Sequence, residues 1–358
     1  MQLTARQRYF APIVVWALLV SVTLGAVFGH YNTPNDAIRG YIHGAVAGIL
    51  ISSSVLLLEF VVFSGTFSAL VRRVPFLLYL GLRSLGYLVA ILLGLAVSAW
   101  LVRASPVSEP LIERGGITFS IVMSLGFNLF YGVNSLLGEG VLFNFIAGRY
   151  RRPRIEERVL LFIDMESSTA IAEHLGETGF LDFLNRFVAD ITGPIMVQFG
   201  TIHKYVGDEI IVTWPLAVGL RDEHCVRACF DALAQIDAHA ATYIRDFGRR
   251  ADFRAALHCG PVVIGELGVV KMEIALLGDS MNTTARILEA CRDTGQRILA
   301  SAALVDRLST LPPGVAKRFM GPLHLRGKAG QIALYALAST GVKTRASGEV
   351  TALSSRTG

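Results

Sequence analysis

Cysteine is scarce in this chain, and its placement narrows what the chain can be. Four cysteines occur in 358 residues, and none lies in the first 224. Cys225 and Cys229 stand one helical turn apart, yet no His or Cys pair follows them at zinc-finger spacing, which argues against a structural zinc module. With Cys259 and Cys291 they read as packed, unreactive thiols kept reduced in the cytoplasm. Charge is also sparse: Asp, Glu, Lys and Arg make up 17% of the residues against 53% hydrophobic. That balance excludes a purely soluble protein and points to a membrane part joined to a globular one.

The apolar excess is concentrated in four runs: "YFAPIVVWALLVSVTLGAVFGH" (9–30), "AVAGILISSSVLLLEFVVF" (45–63), "FLLYLGLRSLGYLVAILLGLAVSAWLV" (76–102) and "ITFSIVMSLGFNLFYGVNSLL" (117–137). Each approaches or exceeds the roughly 20 residues a helix needs to span a bilayer core, so four transmembrane helices are predicted over residues 1–137. A cleaved signal peptide does not fit the first run, which is long, lacks a clear small-residue cleavage site and is followed by three more. Arg6, Arg8, Arg72, Arg73, Arg149, Arg151, Arg152 and Arg154 fall on one side of these spans, and only Arg39, Arg103 and Arg114 on the other. The positive-inside bias then predicts a multi-pass protein of the plasma (inner) membrane, with its N-terminus and everything after residue 138 cytoplasmic. Arginines beside anionic headgroups of the lipid bilayer account for the net charge of +5, and no nucleic acid partner is needed.

From about residue 156 the pattern changes to short β-like runs alternating with amphipathic helical stretches. "RVLLFIDM" (158–165) reads as a strand, and "SSTAIAEHLG" opens with hydroxyl residues suited to a helix N-terminus. "TIHKYVG" and "EIIVTWP" read as two strands joined by a Gly-Asp turn. A long helix over 219–247, a pair of strands around Gly260 and Pro261, the strand "MEIALLG", a helix capped by Asp279 or Ser280, and a closing hairpin complete the series. This order predicts an α+β domain of ferredoxin-like type, an antiparallel sheet with helices on one face, over residues 158–338. Residues 339–358 carry little apolar content and are expected to be a disordered tail.

Asp164 ends the first of these strands and Asp208 stands in the hairpin turn. In such a sheet the two carboxylates can converge, and hard cations such as Mg²⁺ or Mn²⁺ take oxygen ligands of this kind while sharing substrate phosphates. Ser167, Ser168 and Thr169 then place the donors of a helix N-terminus where an anionic phosphate can rest. "LLGDSMNTTARI" adds Asn282 and Arg286 at i and i+4, on one helix face. Asparagine can orient a sugar oxygen, and arginine can stabilise charge growing on phosphorus.

"FIDMESST", "KYVGDEI", "GPVVIGELG", "LGDSMNTTAR" and "RGKAG", in this order, resemble the motifs of the class III nucleotidyl cyclases, the resemblance covering about 156–338. It implies a head-to-tail homodimer with active sites between the subunits and ATP as substrate. Asp164 and Asp208, helped by the main-chain carbonyl of Met165, would hold two divalent metal ions. Lys204 would select the purine, while Asn282 and Arg286 would serve as ribose-orienting and transition-state residues, all three from the other subunit. Arg326 matches a lysine that binds the terminal phosphates. Ala275 stands where many adenylate cyclases place an Asp or Thr that pairs with the adenine amine, so base selectivity is the point of departure. The expected activity is adenylate cyclase; the alternatives are a guanylate cyclase or a catalytically silent nucleotide-sensing dimerisation module. A diguanylate cyclase is disfavoured because "VGDE" has Val206 in place of a second glycine. His203, one residue from Lys204 on a strand, is expected to point to the opposite face, and Glu209 to face away from the metals.

Four spans exceed what anchoring requires, and the membrane half is expected to sense an unidentified ligand or stimulus. Glu59 and Arg83 fall inside spans two and three at similar depth, as a functional site or as a mutual ion pair. His30 and His43 flank the first outer loop; loop-facing side chains are expected over ligation of haem or a metal. Residues 138–157 join the halves as an expected transducing helix stopped near Pro153.

Overall fold

The computed structural model describes residues 5–32, 37–58, 76–101, 148–270, 272–324 and 331–340. It divides into two compact units, Met1–Ile146 and Ala147–Gly358.

The first unit contains α1 (Ala5–Asn32), α2 (Ala37–Leu58) and α3 (Phe76–Leu101). Among the described residues two helices are long and apolar enough to cross a membrane, Ala37–Leu58 and the Gly81–Ser98 part of α3. The fourth expected span, 117–137, and Glu59 lie outside the described residues. Helices α1 and α2 pack backbone to backbone through glycine: a Cβ built on Gly25 would lie 2.2 Å from the Gly44 carbonyl oxygen, and one on Gly29 2.1 Å from that of Gly40. Gly40, Gly44 and Gly48 recur every fourth residue along α2, which is the small-residue stripe that lets membrane helices approach closely. Ser98 Oγ of α3 donates to the His43 carbonyl at 3.0 Å. His30 and His43 both lie within helices, His30 stacked on Tyr41 with ring centroids 4.6 Å apart. Arg83 is buried, and its Nε donates to the Tyr87 hydroxyl at 3.1 Å.

The second unit runs β1 (Arg154–Met165), α4 (Ser168–Val197), β2 (Thr201–Val206), β3 (Glu209–Pro215), α5 (Leu216–Leu220), α6 (His224–Ala238), α7 (Ala240–Phe247), β4 (Phe253–Leu267), β5 (Glu273–Leu277), α8 (Asp279–Thr294), β6 (Ile298–Ser301), α9 (Ala302–Val305), β7 (Val315–His324) and β8 (Gln331–Ser339). The strands form one sheet in the order β2-β3-β1-β4-β6-β8-β7, with β5 paired to β4. The β2-β3-β1-β4 part is antiparallel throughout, and with α4 between β1 and β2 it has the expected ferredoxin-like order.

The helices are not confined to one face. On β1, Val159, Leu161 and Ile163 join a core with Phe183 and Phe187 of α4 and Val226 and Cys229 of α6. Leu160 and Phe162 join a second core with Ile287, Leu288 and Cys291 of α8. A strand apolar at successive positions is one buried on both faces, which is what "VLLFI" encodes. Other boundaries also differ from expectation. The stretch around Gly260 and Pro261 is one strand of 15 residues rather than two. The helix expected over 219–247 is broken, with Asp222 and Glu223 at positive φ and a second break at His239. β1 begins at Arg154, and residues 148–150 form a turn; residues 138–147 and the tail from 341 lie outside the described residues.

The four thiols are buried, and burial pushes Cys225 and Cys291 up to about 12 and raises Cys229 and Cys259 as well, so they remain packed and protonated. Trp214 is fully buried, with its indole N–H donating to the Gln198 carbonyl at 2.8 Å.

Candidate active site

The alternation that sends Ile163 into the α4 core turns Asp164 to the α8 face of the sheet. Its cross-strand partners are Glu209 on β3 and Arg254 on β4. Gly207, at φ 64°, closes the β2–β3 turn in a left-handed conformation that glycine adopts without strain, which sets Asp208 beside Glu209 at the same end. Burial, and then the Asp208 charge, raise the Asp164 carboxyl, against the lowering effect of a hydrogen bond from Arg292. Glu209 is raised by burial and by the charges of Asp164 and Asp208. The structure thus brings Asp164 and Asp208 together.

It also corrects the expectation for Glu209. Directly opposed residues of an antiparallel pair share a face, so Glu209 stands on the same side as Asp164 rather than turned away.

Two arginines border the acids. Arg292 of α8 places Nη2 2.9 Å from Asp164 Oδ2. Arg254 places Nε 3.0 Å from Glu166 Oε1. Next to them, Ser167 adopts a left-handed conformation (φ 59°) and caps α4 without a side-chain hydrogen bond, followed by Ser168 and Thr169 in the first turn. Met165 has its side chain in the core, and the amide N–H of Glu166 donates to the Asp252 carbonyl at 2.9 Å.

Lys204 is not free. Its Nζ lies 3.1 and 3.3 Å from the two carboxylate oxygens of Glu273 on β5, with the side chains 48% and 39% exposed. Ala275 follows two residues later on β5, buried and opposite Gly265. The β2–β3 register shifts between Ile202 and Lys204, so strict alternation alone does not set the face of His203. Burial holds His203 below the ordinary imidazole value, and the neighbouring Lys204 charge lowers it further.

Asn282 is exposed on α8, and Arg286 is held by Glu289 on the same helix at 2.8 Å. α8 begins after Gly278 with no side-chain cap; Ser280 instead donates to the Pro261 carbonyl at 2.8 Å. Arg326 lies outside the described residues. Sequence reasoning missed Arg292 and Glu273. Helix phase from Asn282 and Arg286 could have excluded Arg292 from their face, but only the fold could show that it meets Asp164.

Among the described residues no cluster of three or more His, Cys, Asp or Glu side chains is assembled as a metal cage. The donor set nevertheless fits a hard cation of the Mg²⁺ type. Such an ion is commonly held by one or two carboxylates, with waters and substrate phosphates supplying the rest, and the like charges of Asp164, Asp208 and Glu209 crowd one another.

Residues 151–339 match the family described as "Adenylate and Guanylate cyclase catalytic domain". Adenylate cyclase 2 of Rhizobium meliloti (strain 1021) is 39% identical over 205 residues, which cover 57% of this chain and 56% of that protein. The terminal-differentiation specific adenylate cyclase of Dictyostelium discoideum is 24% identical over 178 residues, 49% of this chain and 8% of the relative. The chain thus spans little more than half of the first relative's length and far less of the second's. A bacterial light-regulated adenylyl cyclase of known structure aligns with a TM-score of 0.53 at 17% identity, covering 65% of this chain and 66% of that one, a likeness of fold.

Proposed function

Because the chain belongs to the adenylate and guanylate cyclase catalytic domain family, we propose that it is a membrane-bound adenylate cyclase, converting ATP to cyclic AMP and pyrophosphate. The observation that carries this reading is the meeting of Asp164 and Asp208 at one end of the sheet, beside the N-terminus of α4.

In this reading Asp164 and Asp208, with the Met165 carbonyl, hold two divalent ions, Mg²⁺ or Mn²⁺. Bound there, these ions would make the ribose 3′-hydroxyl more acidic and neutralise the triphosphate. Ser167, Ser168 and Thr169 offer main-chain N–H groups to phosphate oxygens. A second copy of the chain supplies Lys204 to the purine edge, Asn282 to the ribose and Arg286 to the charge developing on phosphorus. Arg326 binds the terminal phosphates. The 3′-oxygen forms its bond to the α-phosphorus as the bond from that phosphorus to the bridging oxygen breaks. Pyrophosphate leaves and the hydroxyl proton passes to solvent.

Residues 1–137 form the membrane domain in this reading, with four spans and a multi-pass arrangement. Residues 138–153 transmit its state to a cytoplasmic catalytic domain that begins with β1 at Arg154 and ends with β8 at Ser339, and 341–358 form a tail. A guanylate cyclase is the second reading, favoured by two observations: the Ala275 methyl offers adenine no acceptor, and Lys204 is engaged by Glu273.

The test is conversion of ATP and of GTP by the detergent-solubilised full chain, with and without Asp208→Ala. Cyclic AMP formation that falls to background in the variant is expected. Cyclic GMP as the main product would replace the first reading with the second, and no cyclic nucleotide from either substrate would remove both.

A further inference from the structure

Arg292 belongs to none of the motifs that mark the site, yet it makes the direct contact with Asp164, Nη2 to Oδ2 at 2.9 Å. Its backbone is fixed, because the neighbouring Cys291 is buried against the sheet and α8 packs on β1, β4 and β6. Its side chain is not: it is 66% exposed, whereas the Asp164 side chain is 14% exposed. A long side chain on a fixed root, with its charged end in solvent, can leave its partner without disturbing the fold.

The other cation that acts on Asp164, Arg254, is already engaged by Glu166. Arg292 also stands in the last turn of α8, where the helix dipole favours positive charge. When that guanidinium sits on Oδ2, a divalent cation approaching the same carboxylate meets both a competitor for the oxygen and a like charge.

We propose that Arg292 is a tethered counter-cation of the acidic site. It occupies Asp164 while no divalent ion is bound and swings away when one binds, and so sets the cation concentration at which the site fills. The inference rests on the reading of Asp164 and Asp208 as metal-holding residues. It makes Arg292 a positioning residue whose effect falls on cation affinity.

The experiment measures Mn²⁺ binding directly, by electron paramagnetic resonance of the free ion, on the detergent-solubilised full chain without nucleotide. Wild type, Arg292→Ala, Arg292→Gln, Arg292→Lys and Asp208→Ala are compared. An ion pair this exposed is weak, so Arg292→Ala and Arg292→Gln are expected to tighten Mn²⁺ binding by about two- to fivefold. Arg292→Lys should return it toward the wild-type value. The Mn²⁺ concentration at half-maximal cyclic nucleotide formation should shift in the same direction. Arg292→Gln keeps most of the side chain's length, which guards against a folding artefact. Unchanged or weaker Mn²⁺ binding in both neutral variants overturns the proposal. If wild type and Asp208→Ala bind Mn²⁺ alike, the metal-site reading itself fails, which separates the two outcomes.

Discussion

Replacing Gly44 by alanine should loosen the contact between α1 and α2, and the structure sets the size of the effect. A Cβ at residue 44 would lie 1.9 Å from the Gly25 carbonyl oxygen and 2.7 Å from its carbon, both rigid backbone atoms. Ordinary contact begins at 3.4 Å, so α1 must retreat by about 1.5 Å. Such a retreat also opens the reciprocal fits at Gly25, Gly29 and Gly48, where added Cβ atoms would sit 2.2, 2.1 and 2.4 Å from facing oxygens. Overpacking of this kind costs about 1–3 kcal/mol. The control is Gly81→Ala on α3, where no atom of the described residues lies within 4 Å. Both substitutions gain helix propensity, up to about 1 kcal/mol in either place. The difference between the two variants therefore isolates the steric cost. Unfolding in mixed micelles of rising SDS fraction, followed by helical circular dichroism, should show Gly44→Ala unfolding earlier than Gly81→Ala. Equal or greater resistance in Gly44→Ala would refute glycine-mediated contact between α1 and α2.

Three further perturbations follow from the catalytic unit. Glu209→Gln removes one of three crowded negative charges with little change of shape, so without divalent cations the thermal midpoint should rise by a few degrees. Excess Mn²⁺ should abolish that gain, and an equal gain in its presence would count against Glu209 sharing the acidic face. Glu273→Ala frees Lys204 from an ion pair worth roughly 0.2–1 kcal/mol at this exposure, so the KM for ATP should fall by no more than about fivefold with kcat little changed; a large loss of kcat at constant KM would contradict a role for Lys204 in base binding alone. Glu223 is held below the ordinary glutamate value first by a hydrogen bond from Thr310 and also by Arg227. A depressed carboxylate contributes stability that is present above its unfolded value, near 4.5, and lost as pH falls through the folded one. Glu223→Gln should flatten that acid limb in denaturant titrations across the window, and an unchanged slope would show that the contact does not persist in solution.

Much of this was legible because it rests on short-range pattern. The Gly207-Asp208 turn followed from residue type alone, and the convergence of Asp164 with Asp208 followed from strand order. The misread direction of Glu209 has a plain cause, which is that side-chain direction depends on register. Glu209 looks as though it should turn away from its neighbour Asp208, but its face is set by the β1 strand opposite, where Asp164 is its partner. The register shift between Ile202 and Lys204 is likewise invisible to strict alternation. Gly260 and Pro261 looked like punctuation, yet β4 runs through them. A Cβ at residue 260 would lie 2.5 Å from Ser280 Oγ, so glycine there serves the close approach of α8 rather than a turn.

Helix phase separates Arg292 from Asn282 and Arg286 on α8. Asn282 and Arg286 are four residues apart and share a face, whereas Arg292, six residues beyond Arg286, lies about 120° around the helix. Arg292 points to Asp164 of its own chain. A rigid helix that presents Arg292 to those acids therefore presents Asn282 and Arg286 elsewhere, and Arg286 is held there by Glu289. If Asn282 and Arg286 act on a nucleotide above Asp164 and Asp208, the acids in question belong to another copy. The pitch of one helix thus supports the proposal of two copies, in which α8 would serve two sites at once, its own through Arg292 and its partner's through Asn282 and Arg286.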